Sequence, residues 1–264
     1  MPIPVRQPAG RGGRRARGHI YVADNGDNRV QEFAYGGKFL QTISGDFNYP
    51  VGVTTDSAGG IYMTIQGLYS VREYSASGAF VRAWGSPGGV PGELNSPAGV
   101  AVDGAGDVHV ADCENNRIQK FTSGGSLVGV SGTLGSGLGQ FNCLANVAVD
   151  GSGSIYVTYY NNDRVQEFTT AVGFIRASGS PGTSVGYFEH SPGVAVDRFG
   201  NVFVADTGDN RFQQFASDGG LQTGAGASSR LAPVSSGFRW AWQLSPSTTL
   251  RLGRCRVAAH RSSV

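Results

Sequence analysis

A unit of about 47 residues recurs along the chain, and each copy carries nearly the same fifteen-residue phrase. It reads HIYVADNGDNRVQEF from His19, DVHVADCENNRIQKF from Asp107, SIYVTYYNNDRVQEF from Ser154 and NVFVADTGDNRFQQF from Asn201. A weaker copy, GIYMTIQGLYSVREY, starts at Gly60. Arg117, Arg164 and Arg211 stand 47 residues apart, and Arg29 holds the same place in the first copy. Repetition at this period means one supersecondary unit stacked several times, since a single copy cannot bury its apolar faces alone.

Each unit has the texture of β-structure. GVAVD (Gly99 to Asp103, Gly193 to Asp197) is a short apolar run closed by a turn residue. A Gly-containing turn, IYVAD-type alternation, a polar loop, RVQEF alternation, a Gly-Gly turn and a fourth run such as Phe80 to Trp84 follow. Four short strands joined by Gly, Asp and Asn turns make one antiparallel sheet per repeat. Four-stranded units of this length are blades of an all-β propeller, which manages sheet edges by radial packing.

The ordered tokens GVAVD, IYVAD and NRVQEF, followed by Gly-Gly, resemble the NHL repeat over roughly Pro8 to Gly220. The resemblance implies a six-bladed propeller, incomplete as written. No Gly-His and Trp-Asp pair of the WD40 kind or kelch glycine pattern is present.

All 19 acidic residues fall between Gly18 and Gly220, with only 10 of the 21 basic ones, so this region carries a formal charge of −9. The other 11 basic residues are all Arg, five within residues 1–17 and six from Arg230 to Arg261. Basic arms of this kind suit nucleic acid or anionic membrane. The reading adopted for them is different. After Pro8-Ala9-Gly10 a Val-Ala-Val-Asp strand is due, and codons for Arg11 to Arg15 can be chosen that give it one base later. Trp240 to Leu244 behave alike, yielding Gly-Val-Ala-Val in another frame. The expected organisation is therefore an Arg-rich segment 1–17 of frame-shifted repeat sequence, an NHL-repeat propeller over 18–227, and a frame-shifted sixth repeat over 228–264. A ring left open in this way would expose strand edges and self-associate.

Cys113, Cys143 and Cys255 are odd in number and irregularly spaced, with no C-x-x-C, so neither a disulfide framework nor a zinc site is expected. There is no signal-peptide core and no apolar run long enough to span a membrane, although a missing true N-terminus would remove evidence of export.

The repeated polar set is Asp24, Asn28 and Arg29; Asp112, Asn116 and Arg117; Asp206, Asn210 and Arg211. Recurrence in every well-formed blade argues for a structural role, because a catalytic group is needed once. The functional alternative is that Arg29, Arg117, Arg164 and Arg211 ring one face and contribute to ligand binding. Two copies depart from the pattern. Ile65, Tyr69 and Ser70 replace Asp, Asn and Arg in one; Tyr159 and Asp163 replace Asp and Asn in the other. Tyr69, Tyr159 and Tyr160, with Tyr62, Tyr74 and Tyr156 nearby, are amphipathic rings suited to contact with a ligand.

Some NHL-like propellers, the peptidylglycine amidating lyases, hold zinc through a His after the Pro that precedes strand one. The matching positions here are Val51, Ala98, Ala145 and Pro192. His19, His109, His190 and His260 occupy four different repeat positions and cannot converge, so no catalytic residue, metal or cofactor is assigned. Antibiotic-linearising lyases of related type need a catalytic His with acidic metal ligands, which cannot be assembled. His190, in a face loop, is kept as a binding candidate. The Gly-rich stretch Gly132 to Gly139 has counterparts at Gly85 to Gly92 and Gly179 to Gly186, and reads as a blade connector, not a phosphate loop. The expected function is a non-catalytic scaffold for a protein, peptide or glycan. The alternatives are an RNA-binding propeller like those of tripartite-motif proteins, which a charge of −9 disfavours, and a propeller lyase that has lost its metal-site histidines.

Overall fold

In the computed structural model, residues 18–34, 36–161 and 163–222 are described. They form five antiparallel sheets in chain order. The first holds β1 (His19–Asp24), β2 (Arg29–Ala34) and β3 (Phe39–Ile43). The second holds β4 (Pro50–Thr55), β5 (Ile61–Ile65), β6 (Ser70–Tyr74) and β7 (Phe80–Trp84), with one 3-10 turn, Gln66–Leu68. The third holds β8 (Pro97–Val102), β9 (Val108–Asp112), β10 (Arg117–Phe121) and β11 (Leu127–Ser131). The fourth holds β12 (Leu144–Val149), β13 (Ile155–Tyr159), β14 (Val165–Phe168) and β15 (Phe174–Ser178). The fifth holds β16 (Gly193–Val196), β17 (Val202–Asp206) and β18 (Arg211–Phe215).

These sheets are propeller blades, and they correct the expected count. Five blades stand where six were anticipated, and the first and fifth have three strands among the described residues. The segments read as frame-shifted, 1–17 and 228–264, lie outside the described residues. The strand after the polar loop of the fourth blade begins at Val165, one residue beyond Arg164.

The core is not one cluster but four, each lying in a seam between consecutive blades. Strand β4 packs beside β8, and β12 beside β8 and β16, so the first strands of the second to fifth blades abut one another, and β4 also packs beside β1, an IYVAD-type strand. The approach is close enough to require glycine. A Cβ on Gly52 would lie 2.6 Å from the Ala98 carbonyl oxygen, and one on Gly99 would lie 2.7 Å from Asn146 Cα. Each seam is also plugged from the connector by one large apolar residue: Phe47, Leu94, Phe141 and Phe188 are all buried. Burying each such side chain stabilises the seam by roughly 1.5–3 kcal/mol.

Candidate functional site

The polar loop of the repeat sits at the end of the second strand, and its residues divide into three jobs. In the third blade, the Asp112 carboxylate accepts hydrogen bonds from Arg117 Nε at 2.7 Å, Gln119 Nε2 at 2.9 Å, Asn115 Nδ2 at 2.9 Å and the Asn95 N–H at 2.7 Å. The rest of the guanidinium turns to the incoming connector. Arg117 Nη1 donates to the Gly89 carbonyl, and Nη2 to those of Val90 and Glu93, all within 2.9 Å. Gln119 adds a bond to the Glu93 carbonyl and accepts one from the Gly92 N–H. The first job is therefore a clamp that holds the connector by its backbone, charge-assisted at its root.

The fifth blade repeats the clamp. Arg211 pairs with Asp206 at 2.7 Å and reaches the carbonyls of Thr183, Ser184 and Tyr187, while Gln213 bonds Tyr187 and Gly186. Burial, the largest influence on Asp206, pushes its carboxyl pKa up despite these donors. In the fourth blade the Tyr159 hydroxyl stands in for the carboxylate, accepting from Arg164 Nε and, at 3.1 Å, from Gln166 Nε2. Arg164 also reaches the Gly137 carbonyl, and Gln166 donates to the Gln140 carbonyl and accepts from the Gly139 N–H. Tyr159 is fully buried. Arg29 pairs with Asp24 and Asp27.

The second job belongs to the Asn. Asn28, Asn116 and Asn210 have φ of 50–53°, a left-handed conformation that Asn tolerates better than most residues. From there Asn28 Oδ1 accepts the Tyr49 N–H at 2.7 Å and Asn116 Oδ1 the Cys143 N–H at 2.8 Å, each in the next blade. Asp163, replacing Asn in the fourth blade, does the same for His190 at 2.8 Å.

The third job falls to positions that vary. Tyr49, Ser96, Cys143 and His190 are all left-handed, precede the first strand, and lie 47 residues apart. Gln66, Cys113, Tyr160 and Thr207 follow the second strand at the same spacing. Across one seam Gln66 Nε2 donates to Ser96 Oγ. Across the next, Cys113 and Cys143 form a disulfide, with Cα atoms 4.4 Å apart. This corrects the expectation that no disulfide would form. The two positions are far apart within one repeat but meet at a seam, and the Gln66–Ser96 pair has the same 30-residue separation. Tyr160 and His190 are exposed, and Tyr69 is half-buried. The rings of Tyr62, Tyr74 and Tyr156, read from sequence as contact residues, are instead buried on strands.

At the opposite end of the strands a second register pairs Tyr62 with Glu73, Tyr156 with Glu167 and His109 with Lys120. Burial, helped by Glu73 and Asp56, pushes the Tyr62 pKa up to about 12. His109 is wholly buried, with Nε2 3.0 Å from Asp103 Oδ2, and its burial pushes its pKa down. Burial would raise the Asp103 carboxyl, but His109, the Asp107 N–H and Lys120 hold it below its ordinary value. Lys120 also bonds the Thr170 carbonyl of the next blade, so this cluster is a seam fastener. His19 meets Glu32 in the first blade. The three described histidines thus lie in three blades at unrelated positions.

Comparison with known proteins agrees with this geometry. The family model of the NHL repeat matches residues 94–121. A streptogramin B lyase structure superposes with a TM-score of 0.60 at 16% identity, covering 79% of this chain and 65% of that one. A catalytically inactive virginiamycin B lyase from Staphylococcus aureus, solved with quinupristin, gives 0.60 at 14% identity, covering 79% and 66%. A nidogen/laminin complex gives 0.61 at 16%, covering 77% and 73%. The chain thus spans slightly less than two thirds of the length of these lyases. No curated protein matches by sequence. The class is a β-propeller, and its third blade matches the NHL repeat.

Proposed function

We propose that the chain is a non-catalytic scaffold that binds a protein, peptide or glycan on the face carrying the seam positions. One observation carries this reading: the repeated Asp, Arg, Gln and Asn are consumed by clamps and caps, whereas the seam positions between them differ from blade to blade, and two of these, Tyr160 and His190, are exposed. A constant frame that displays Tyr, Ser, His, Gln and Thr at fixed spacing is a recognition surface. Tyr160 and His190, with Tyr69 at its margin, are the contact residues of choice; Arg29, Arg117, Arg164 and Arg211 support that face from beneath. A structural neighbour taken from a nidogen/laminin complex supports protein binding by this architecture. A described propeller at −9 gives RNA no electrostatic footing.

The disulfide also supports an oxidising compartment for the chain. Among the described residues no helix is long and apolar enough to cross a membrane.

The test is a peptide library and a glycan array screened with the full chain and with a Tyr160→Ala/His190→Ala variant. Ligands whose binding the variant loses support the reading. Ligands indifferent to it move the site elsewhere, and the absence of any ligand on either array defeats it.

A further inference from the structure

The seam between the third and fourth blades differs chemically from the others. Cys113, Glu114 and Cys143 each offer one ligand atom, and these three atoms lie within 4.8 Å of one another. The disulfide is one state of this set. We propose that the other, reduced state is a binding site for a thiophilic divalent cation of the zinc type, held by two thiolates and one carboxylate.

The placement of the donors is imposed by the fold and not by the sulfur–sulfur bond. Asn116 fastens all three residues by their backbones. Its N–H donates to the Cys113 carbonyl at 3.0 Å, its Nδ2 to the Glu114 carbonyl at 3.2 Å, and its Oδ1 accepts the Cys143 N–H at 2.8 Å. The Cys143 carbonyl is held in turn by the Tyr160 N–H, and the Glu114 N–H by the Asn95 carbonyl, both at 3.2 Å. The neighbouring seam, which has no sulfur, brings Gln66 and Ser96 together at the same two positions. Breaking the disulfide therefore leaves the two sulfurs side by side on a rigid frame, as a metal site requires.

The donor set has a definite preference. Two thiolates and a carboxylate suit zinc over calcium or magnesium, and three protein ligands leave a fourth, tetrahedral position for water or a ligand atom. Cys113 is buried, Cys143 half-buried and Glu114 exposed, so the site opens to the face. The chemistry balances with a dithiol as reductant. The dithiol gives two electrons and two protons to the disulfide and becomes a disulfide itself. The cation then displaces the two thiol protons to solvent. Reducing conditions with metal and oxidising conditions without it thus give two alternative fastenings of the same seam.

Cobalt(II) titration tests the proposal, because thiolate ligation gives an intense near-ultraviolet charge-transfer band. The full chain would carry Cys255→Ser, be reduced with a phosphine and be desalted anaerobically. The expected result is a band saturating at one equivalent, displaced by zinc and absent from the oxidised protein. Cys143→Ser should abolish the band, and Asn116→Ala should weaken cobalt binding roughly 10–100-fold while leaving the ligands in place. Oxidised and reduced forms of the same protein provide the comparison if a variant fails to fold. A reduced protein without the band, or a band that survives Cys143→Ser, overturns the proposal.

Discussion

The second and third blades are neighbours built on the same repeat, yet they receive the chain in opposite ways. The connector into the third blade, residues 85–96, is twice as long as that into the second, residues 44–49. The longer one needs its backbone carbonyls satisfied, and Arg117, Gln119 and Asp112 do this. The shorter one has no such arc of carbonyls, and the second blade correspondingly places Ile65 and Ser70 where the clamp would be. Phe47 still plugs the seam. The comparison teaches that clamp and connector are one device, present or absent together. The second blade's Ile65 and Ser70 mark the loss of a part with nothing left to hold.

Separating the two halves of the device has the largest expected effect. Arg117→Ala should cost about 3–5 kcal/mol in urea melts, since it leaves the buried Asp112 carboxylate without its charge partner. Removing residues 88–93 together with Asp112→Ile and Arg117→Ser, the second blade's residues, should cost far less than its component changes summed. Additive losses would show that clamp and connector are independent.

Next in size is the disulfide, which the second blade's seam lacks. Reduction should cost about 3–4 kcal/mol by loop-closure entropy for a separation of 30 residues, read as a shift in the urea midpoint. An unchanged midpoint would mean that the seam is held equally well without it. Asn116→Ala should lose roughly 1–3 kcal/mol from its two side-chain hydrogen bonds and its left-handed backbone. Tyr69, the second blade's counterpart, cannot offer the same carboxamide, so Tyr69→Ala in parallel melts should not cost as much through a lost cap.

The smallest effect is the pH dependence. Because burial lowers the His109 pKa in the folded state, the unfolded chain takes up that proton first as pH falls below about 6.5. Stability conferred by neutral His109 is thus full above that value and is lost as pH falls toward its lower folded pKa. Asp103, also lowered, adds a further loss below the ordinary carboxylate range. The variant His109→Tyr/Lys120→Glu, which copies the second blade, should lose the first of these declines in stability measured from pH 7 to 5. An unaltered profile would assign the decline to other groups.

Much of the fold was legible because the repeat is. Strand order, turns and connectors follow from GVAVD, IYVAD and NRVQEF, each a local pattern with a local consequence. The structural weight of Asp112 and Arg117 was legible too, from their recurrence. What they hold was not, because the carbonyls of Gly89, Val90 and Glu93 belong to the connector and meet the guanidinium only across a turn of the chain. Tyr159 looked like a surface ring because the hydroxyl's substitution for a carboxylate is a spatial fact. The disulfide hid for the same reason. Aligned by repeat position, Cys113 and Cys143 fall on the Gln66 and Ser96 pair, which is the signal that spacing along the chain alone does not give.

The caps point in one direction: Asn28 reaches forward 21 residues to the Tyr49 N–H, and Asn116 and Asp163 reach 27 residues forward, to Cys143 and His190. A chain emerging from the ribosome at roughly 5–20 residues per second therefore fastens each blade about one to five seconds after its own loop appears. Synthesis and assembly run the same way, and a newly finished blade waits with its cap open for the next arrival.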